Sequence, residues 1–545
     1  MRVALISDGT YPFRQSVTAT WCHRLVRGMS EHRFHIVAVG DRVGTIASYA
    51  PTSNTDSFTS VGLAGAGQHK NRRTTLAQRR LATHASVLLC RGMVSDTPHG
   101  LAMVRSALRR LAAIADAGTD PLEGVPIASV LFDAWRAAGG ASNGGGASRA
   151  RARNGADGGG RESGGRESGG RLLPARIMPA RIMPARIMPT RFAPTGRHFA
   201  SNVDGPPRSA LPQPTRDDAR RAAELLHRAL RVMTVRVPVA DLNHAIDAGT
   251  SALLALTQKW RTGTPFVLTE HDTYLNATLL SGAADRPAVR AVLLRLLRAV
   301  ARLCYDEAAS IAAPSERLRR WAVDHGGDPA KISLIGYGVD PHSCPPLRGE
   351  PSEPTVLFLG PERDVVTMLG AVATLRAARL DIRLIVAGPA DDAVHRVPAD
   401  VYFLGPVSHR RSAYATGQVV VISGRDPAAP YAIVEAMMCG RPTICLDDGT
   451  FEPVVGTAVM VVPYDDRARL ADACAALLGS PDRRRDMSTT SARRARSLFA
   501  LRTTTDAVRL AYERAMFDAV RIGPLEPGDD AVAAGTTGTS RTTGS

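Results

Sequence analysis

Short apolar runs alternate with amphipathic stretches along most of this 545-residue chain. Arg2 to Ser7 and Phe34 to Val39 are rich in apolar and β-branched residues, which predicts two buried strands. Trp21 to Met29, between them, places its apolar residues at helical spacing. Strand, loop, helix and strand in this order open a doubly wound parallel sheet, whose ligand crevice lies beyond the carboxyl ends of the strands.

The second half of the chain repeats the alternation, with helical stretches between short apolar runs. Its predicted strands are Thr355–Leu359, Ile382–Ala387, Val401–Leu404, Val419–Ile422, Thr443–Leu446 and Val459–Val462. We therefore predict an α/β fold with two Rossmann-like doubly wound domains that face a cleft.

Composition divides the chain further. Between residues 139 and 216 Gly, Pro and Arg dominate, with RESGG twice and PARIM three times, a sequence that cannot maintain a packed helix or strand. We interpret this range as a disordered insertion in the N-terminal domain. The predicted organisation is an N-terminal domain in two parts, 1–138 and 217–340, the insertion 139–216, a C-terminal domain 341–500, a closing helix 501–522 and a disordered tail 523–545.

The formal net charge of +17 suggests a polyanionic partner only if it lies on a folded face. Residues 141–216 hold 13 Arg and four acidic residues, so nine of the 17 excess charges fall in the predicted insertion. That segment lacks the interleaved aromatic residues of a single-strand binder. We therefore expect no nucleic-acid partner, and rank a basic nucleic-acid binder last among the functional interpretations.

Other features narrow the class of protein. The seven scattered cysteines contain no CxxC pair and indicate neither a disulfide framework nor a zinc site. No run reaches the roughly 18 apolar residues of a membrane span, and the first residues do not resemble a signal peptide, so we expect a cytoplasmic protein. A predicted helix, Ala288 to Cys304, carries four arginines on one arc, which is typical of a solvated face and compatible with weak membrane-surface contact.

The candidate chemistry is concentrated between Val419 and Asp448. A predicted strand leads into a turn that contains Asp426, and a helix that begins at Pro430 ends near Gly440. A helix N-terminus directly after a strand offers N–H groups and a favourable dipole to an anion. Glu435 lies about one turn inside this helix.

This stretch, with PYAIVEAM at 430–437 and CGRP at 439–442, resembles the donor-site segment of retaining glycosyltransferases of family 4, the bacterial group 1 type with the GT-B fold. Members of that family carry a glutamate, seven residues and a second glutamate here. The second glutamate matches Glu435 and implies contact with the donor's ribose hydroxyls. The first position holds Pro427, and the neighbouring Asp426 becomes the candidate for its catalytic contact with the sugar. The remaining donor-binding residues that the resemblance implies are Tyr431, Ala432 and Ile433.

Three other segments support the resemblance. The TEH triplet that ends at His271 implies a catalytic histidine near the transferred sugar, whereas we interpret His244 as structural. The segment KISLIGYGVD at 331–340 matches the crossing into the second domain. The family places an arginine and a lysine after the first strand of the second domain, and Arg363 is the cation present in the shorter loop here. A glycine pair of the family is replaced by Ser16 and Val17.

The resemblance implies a hexosyltransferase-like enzyme that moves a sugar from a nucleotide sugar to an acceptor with retention. It also implies a nucleotide-sugar-binding role for residues 341–500. We expect neither a metal nor another cofactor, since no DxD-like carboxylate pair follows a predicted strand. Because three family features are altered, a second interpretation stays open: a catalytically degenerate GT-B protein that binds a nucleotide sugar or scaffolds a partner. The sequence leaves undetermined the donor sugar and the acceptor, which could be a polysaccharide, a lipid-linked sugar or a small molecule.

Overall fold

The fold contains two parallel sheets, each covered by helices. The computed structural model describes residues 1–40, 44, 46–63, 74–116, 119–147, 211–276, 278–388, 401–405, 407, 410–447, 451 and 455–522. Helix α4 continues to Ala147, so the first residues of the predicted insertion are helical, and the description resumes at Leu211. The rest of the predicted insertion, 148–210, and the predicted tail, 523–545, lie outside the described residues.

The N-terminal sheet has seven parallel strands in the order β3-β2-β1-β4-β5-β6-β7. Its strands are β1 (Arg2–Ser7), β2 (Arg33–Gly40), β3 (Thr55–Gly62), β4 (Leu242–Ile246), β5 (Phe266–Thr269), β6 (Ser310–Ala313) and β7 (Ile332–Leu334). Its helices are α1 (Val17–Gly28), α2 (Leu76–Ser95), α3 (Pro98–Asp116), α4 (Ile127–Ala147), α5 (Arg216–Leu230), α6 (Thr250–Thr262), α7 (Pro287–Glu307) and α8 (Glu316–Asp324).

The C-terminal sheet has six parallel strands in the order β10-β9-β8-β11-β12-β13. Its strands are β8 (Thr355–Leu359), β9 (Arg383–Ala387), β10 (Val401–Gly405), β11 (Val419–Ser423), β12 (Thr443–Leu446) and β13 (Met460–Val462). Its helices are α9 (Glu362–Ala377), α10 (Arg410–Thr416), α11 (Ala429–Met438), α12 (Arg467–Leu478) and α13 (Pro481–Leu498), followed by α14 (Leu501–Ile522). The predicted fold class, two parallel-sheet α/β domains, is confirmed.

The central strands are buried on both faces because helices cover both sides of each sheet. Every residue of β4, β5, β8 and β11 is buried. One apolar cluster draws members from both halves of the chain, among them Trp21 of α1 and Tyr431 of α11. The last helix, α14, packs back on the N-terminal half, where the hydroxyl of Tyr512 lies 2.7 Å from Nδ1 of His244.

Two local features differ from the sequence-based expectation. Helix α1 begins at Val17 instead of Trp21, because the hydroxyl of Ser16 accepts the N–H of Ala19 and caps the helix. The basic arc predicted on α7 is partly internal: Arg295 donates to the carbonyl of Val94, and Arg298 pairs with Asp96 at 3.1 Å. None of the described helices is long and apolar enough to cross a membrane.

Candidate active site

Helix α11 begins three residues after Asp426 and ends as the sequence predicted. Gly440 follows the last turn with φ of 70°, a left-handed conformation that suits glycine, and its N–H binds the carbonyl of Met437. Every residue of the helix except Pro430 is buried, so Glu435 brings a carboxylate into an apolar environment where an unpaired charge is costly.

Two arginines from different halves of the chain satisfy Glu435. Nη2 of Arg24, on α1, donates to Oε1 at 2.9 Å. Arg410, on α10, donates from Nε to Oε2 at 2.6 Å and from Nη2 to Oε1 at 3.0 Å. Burial alone raises the pKa of Glu435, but the hydrogen bonds and charges of Arg410 and Arg24 outweigh it and hold that pKa below its usual value. The carboxylate is therefore ionised, and both of its oxygens accept hydrogen bonds.

A row of aromatic rings runs from the N-terminal half to α11. The ring of His271 lies 4.9 Å from that of Trp21 and 6.0 Å from that of Tyr337, and Tyr337 lies 5.4 Å from Tyr431. The guanidinium carbon of Arg24 lies 4.2 Å from the ring centroid of Tyr431, a cation–π contact. Arg24 and Tyr431 thus pack together where the two halves of the chain meet.

Three of these rings carry buried polar atoms without a hydrogen-bond partner among the described residues. These atoms are Nε1 of Trp21, both ring nitrogens of His271 and the hydroxyl of Tyr431. Most buried polar groups in folded proteins are hydrogen-bonded, so four such atoms along one row of rings need an explanation. A bound polar ligand that forms hydrogen bonds with these atoms is one explanation.

The TEH loop holds His271 through its backbone. The backbone N–H of His271 donates to Oδ1 of Asp247 at 2.6 Å, and the N–H of Asp272 donates to the same oxygen at 2.9 Å. Burial and the nearby His244 lower the pKa of His271 to about 3, so the ring is neutral at physiological pH. A neutral imidazole provides one hydrogen-bond donor and one acceptor.

His244 is satisfied on both sides, in keeping with the structural role expected from the sequence. Nδ1 lies 2.7 Å from the hydroxyl of Tyr512 and Nε2 lies 2.7 Å from that of Thr269. Burial lowers the pKa of His244 to about 3. The two histidines are therefore both neutral and differ in their partners.

The loop before α11 uses its polar groups internally. Oδ1 of Asp426 accepts the N–H of Ala428 at 2.7 Å, and the carbonyl of Asp426 accepts the N–H of Ala429 at 2.9 Å. The N–H groups of Tyr431 and Ala432 both bind the carbonyl of Ala428. The N–H groups expected to be free for an anion are thus engaged here, although the helix dipole remains. The side chain of Asp426 stabilises a turn.

The cation expected after β8 lies on the surface. Arg363 occupies the first turn of α9, is exposed and has no hydrogen-bond or ion-pair partner among the described residues. A neighbouring arginine is bound instead: Nη1 of Arg425 pairs with Oδ1 of buried Asp364 at 2.7 Å, while the hydroxyl of Ser423 donates to the other carboxylate oxygen at 2.5 Å. This network fixes the loop between β11 and α11 against α9.

The predicted donor-binding residues fall into two places. Tyr431 and Glu435 lie with His271 at the junction of the two halves, and the side chains of Ala432 and Ile433 are buried beside them. Arg363, in the first turn of α9, and Asp426, in the turn before α11, contact none of these side chains by a described hydrogen bond or ion pair.

A cavity of about 130 Å³ lies at the carboxyl ends of β1, β4 and β5, lined in part by Asp8, Asp247 and Asp272. Burial together with the charges of Glu270 and Asp8 raises the pKa of Asp247 well above its ordinary value. Burial also raises the pKa of Glu270 to about 7, although the hydroxyl of Tyr305 donates to it at 2.5 Å. In the described part of the chain no group of three or more His, Cys, Asp or Glu side chains is placed to hold a metal.

Sequence reasoning missed Arg24, Arg410 and Asp247. The strand-end rule would have found Asp247, since it follows β4 directly. No local signal identifies Arg24, because its partner is 411 positions away in the sequence. The sequence before Arg410 gives no signal that its side chain contacts α11.

Two family models match parts of the chain. Residues 353–480 match the model described as glycosyl transferases group 1, and residues 1–122 and 206–330 match one described as a domain of unknown function (DUF3492).

Curated relatives and solved structures are also similar to parts of the chain. The D-inositol 3-phosphate glycosyltransferase of Mycobacterium tuberculosis (strain ATCC 25177 / H37Ra) is 28% identical over 47% of this chain and 58% of that protein. The protein of the same name from Kineococcus radiotolerans is 25% identical over 45% of this chain and 64% of that protein. The chain therefore spans less than two thirds of the length of these relatives.

Among solved structures, the sucrose-phosphate synthase of Thermosynechococcus elongatus has a TM-score of 0.41 and 19% identity, and the match covers 51% of this chain and 74% of that one. The N-terminal domain of Candida albicans trehalose-6-phosphate phosphatase has a TM-score of 0.48 and 10% identity over 94% of this chain and 97% of that one. The matched segment 353–480 contains Arg363, Arg410 and Glu435.

Proposed function

We propose that this protein transfers a sugar from a nucleotide-sugar donor to an acceptor at the junction of its two halves. The observation that carries the proposal is the set of unpartnered buried polar atoms on Trp21, His271 and Tyr431. Each such atom costs about 1–3 kcal/mol when it stays unpaired. A hexose carries several hydroxyl groups, each of which both donates and accepts, so a bound sugar would supply partners for these atoms. The match of residues 353–480 to glycosyl transferases group 1 supports the same reaction class.

Sugar transfer from a nucleotide sugar requires stabilisation of an oxocarbenium-like transition state and of the diphosphate that leaves. His271 is neutral, so its part in the proposal is to orient and hydrogen-bond the sugar instead of adding charge. The dipole of α11 and the exposed Arg363 are the groups proposed for the diphosphate. Our proposal includes retention of configuration and independence of metal, with the positive charge supplied by arginines.

Release of nucleoside diphosphate from UDP-, GDP- and ADP-sugars tests this proposal. The unaltered protein should turn over at least one donor, with and without EDTA, and NMR of the product should show retained anomeric configuration.

Arg363→Ala should weaken diphosphate binding. Arg441→Ala is unsuitable as its control because Arg441 is 4% exposed and donates to the carbonyl of Tyr414. The exposed, unrelated pair of Arg509 with Glu31 offers Arg509→Ala instead.

A second candidate, binding of a nucleotide sugar without transfer, is favoured by one observation. Pro427 stands where the family has its first glutamate, and the carboxylate of Asp426 is engaged by the N–H of Ala428. If this candidate is right, the unaltered protein binds a donor without turning it over, and Pro427→Glu gains turnover. Robust transfer by the unaltered protein rejects it.

A further inference from the structure

Two of the cysteines lie against each other at the C-terminal end of α11. Cys344 belongs to the crossing segment, residues 335–354, which runs from β7 to β8, and Cys439 follows the last turn of α11. Their thiols are hydrogen-bonded to each other, and both residues belong to one apolar cluster. They are far apart in the sequence, so the fold brings the two sulfurs together.

Backbone contacts hold the two cysteines side by side. The N–H of Leu347, in the crossing segment, donates to the carbonyl of Cys439 at 3.0 Å. Nη2 of Arg496, on α13, donates to the carbonyl of Cys344 at 3.1 Å and to that of Met438 at 3.2 Å. A disulfide needs Cα atoms within about 7 Å of each other. These hydrogen bonds keep the crossing segment and the end of α11 next to each other, as such a bond requires.

The two thiols differ in how readily they lose a proton. The hydrogen bond with Cys439 lowers the pKa of Cys344 against the opposing effect of burial, and the hydroxyl of Ser343, 3.7 Å from the sulfur, adds to the lowering. The same hydrogen bond, together with burial, raises the pKa of Cys439. Because the thiolate is the reactive form, Cys344 is the thiol that reacts first and Cys439 is the one that keeps its proton.

Cys344 also differs from the other cysteines in its surroundings. Ser343 before it and Pro345 after it are exposed, so a small displacement of this loop brings the sulfur to solvent. Burial raises the pKa of the five cysteines outside the pair, which are Cys22, Cys90, Cys304, Cys445 and Cys474. Cys344 is thus the cysteine whose environment favours the thiolate.

We propose that Cys344 and Cys439 form a reversible disulfide when the protein meets a hydroperoxide. The thiolate of Cys344 attacks the peroxide, whose O–O bond breaks; an alcohol or water leaves, and Cys344 becomes a sulfenic acid. The sulfur of Cys439 then bonds to that of Cys344, its proton goes to the sulfenic oxygen, and water leaves. The two thiols lose two electrons in all, the peroxide gains them, and a reducing dithiol restores both thiols.

This disulfide joins the crossing segment to the end of the helix that carries Glu435. The proposal goes beyond sugar transfer and holds whether or not Glu435 binds a nucleotide. Because the bond closes a long loop, it restrains the unfolded chain and stabilises the folded protein. The oxidised protein should therefore melt at a higher temperature than the reduced one.

The test is peptide mapping of the unaltered protein after treatment with hydrogen peroxide. The peptide that contains Cys344 should be linked to the peptide that contains Cys439. The seven free thiols counted in denaturant should fall by two and return with dithiothreitol, and the melting temperature should rise and fall with them. Absence of the linked peptide would overturn the proposal.

Cysteine-to-serine variants test the role of each thiol. In Cys439→Ser, oxidation should stop at a sulfenic acid on Cys344, which dimedone traps. Cys344→Ser should keep its remaining thiols at the same peroxide concentration. Cys445→Ser, which removes another buried cysteine of the same half, is the matched control and should form the link. A dimedone adduct on Cys439 in Cys344→Ser, or a link from Cys344 to Cys445 in the unaltered protein, would contradict the assignment.

Discussion

Two histidines, His244 and His271, show how much a single residue's partners decide. Burial lowers the pKa of each to about 3; His244 lies in the middle of β4, and His271 follows the carboxyl end of β5. His244 is bound on both sides, whereas neither ring nitrogen of His271 has a partner among the described residues. A purely structural histidine gains from its hydrogen bonds, so His271 is the one whose placement suggests a ligand.

The matched variants His271→Phe and His244→Phe test this difference. His271→Phe loses no described hydrogen bond and should change the free energy of unfolding by less than about 1 kcal/mol while lowering turnover about 10²–10³-fold. His244→Phe leaves the hydroxyls of Tyr512 and Thr269 without their bonds and should destabilise by about 1–3 kcal/mol. Urea denaturation and donor turnover measure the two effects. Full activity in stable His271→Phe would remove His271 from the site.

Glu435 gives a prediction about pH. Its pKa is lowered in the folded protein, so its contribution to stability is complete above the ordinary glutamate pKa of about 4.3 and is lost as pH falls through the lower folded value. Glu435→Gln should cost about 1–3 kcal/mol near neutral pH, because two arginines lose a charged partner. The difference in unfolding free energy between the two proteins should shrink below about pH 4.3. A difference that stays constant down to pH 3 would contradict the ion-pair account.

The sequence predicts on which element Glu435 lies but not which side chains bind it. The motif around Glu435 places the residue on a helix after a strand, and the helix lies there, because strand, turn and cap signals are local. The arginines that occupy its carboxylate come from α1 and α10 and carry no local signal. The local sequence determines where helices and strands begin and end, whereas the tertiary fold determines which side chains pair with a buried charge.

At the scale of elements, the start of helix α1 differs from the sequence-based expectation. Ser16 and Val17 stand where a glycine pair was expected, and Ser16 serves as the N-cap of a helix that starts four residues earlier than its apolar periodicity indicated. The cap was missed because Val17 and the two threonines that follow are weak helix formers and do not continue the apolar periodicity.

Strand β3 was missed because its sequence, TDSFTSVG, contains few apolar residues. Only alternate residues along this strand are exposed.

The turn before α11 yields a prediction for Asp426. Its carboxylate accepts the N–H of Ala428, a role that an asparagine oxygen can fill. Asp426→Asn should therefore keep the stability of the protein, and Asp426→Ala should lose about 0.5–2 kcal/mol, as for other local caps. Turnover separates the two roles: a turn residue leaves Asp426→Asn active, and a catalytic carboxylate leaves it inactive at unchanged melting temperature.

At the scale of the whole molecule, the two-sheet architecture follows from the sequence, since each run of buried strands alternates with helices. The way the halves meet does not. Contacts such as Arg24 with Glu435 and Tyr512 with His244 join positions more than 250 residues apart. Such pairs depend on how α14 and the crossing segment bring the halves together.

Removal of residues 139–210 tests the organisation of the N-terminal half. The flanks are tied to each other, since Nε1 of Trp135 donates to the carbonyl of Pro212 at 2.9 Å and Leu211 is buried. The deletion should stop at residue 210 to preserve Leu211 and the capping box of Thr215 and Asp218. A variant with a short Gly/Ser linker in place of 139–210 should keep a cooperative thermal transition. Loss of that transition would show that the removed segment is needed for folding.

The most direct test of the central proposal, a nucleotide-sugar site at the junction of the two halves, is a thermal-shift panel of UDP-, GDP- and ADP-sugars. A ligand that binds the folded protein stabilises it by mass action and so raises its melting temperature. At a ligand concentration of 100 times the dissociation constant, the free energy of unfolding rises by about 2.7 kcal/mol. We predict that at least one nucleotide sugar raises the melting temperature of the unaltered protein and that Glu435→Gln reduces the shift. No shift with any of them at millimolar concentration would contradict the proposal.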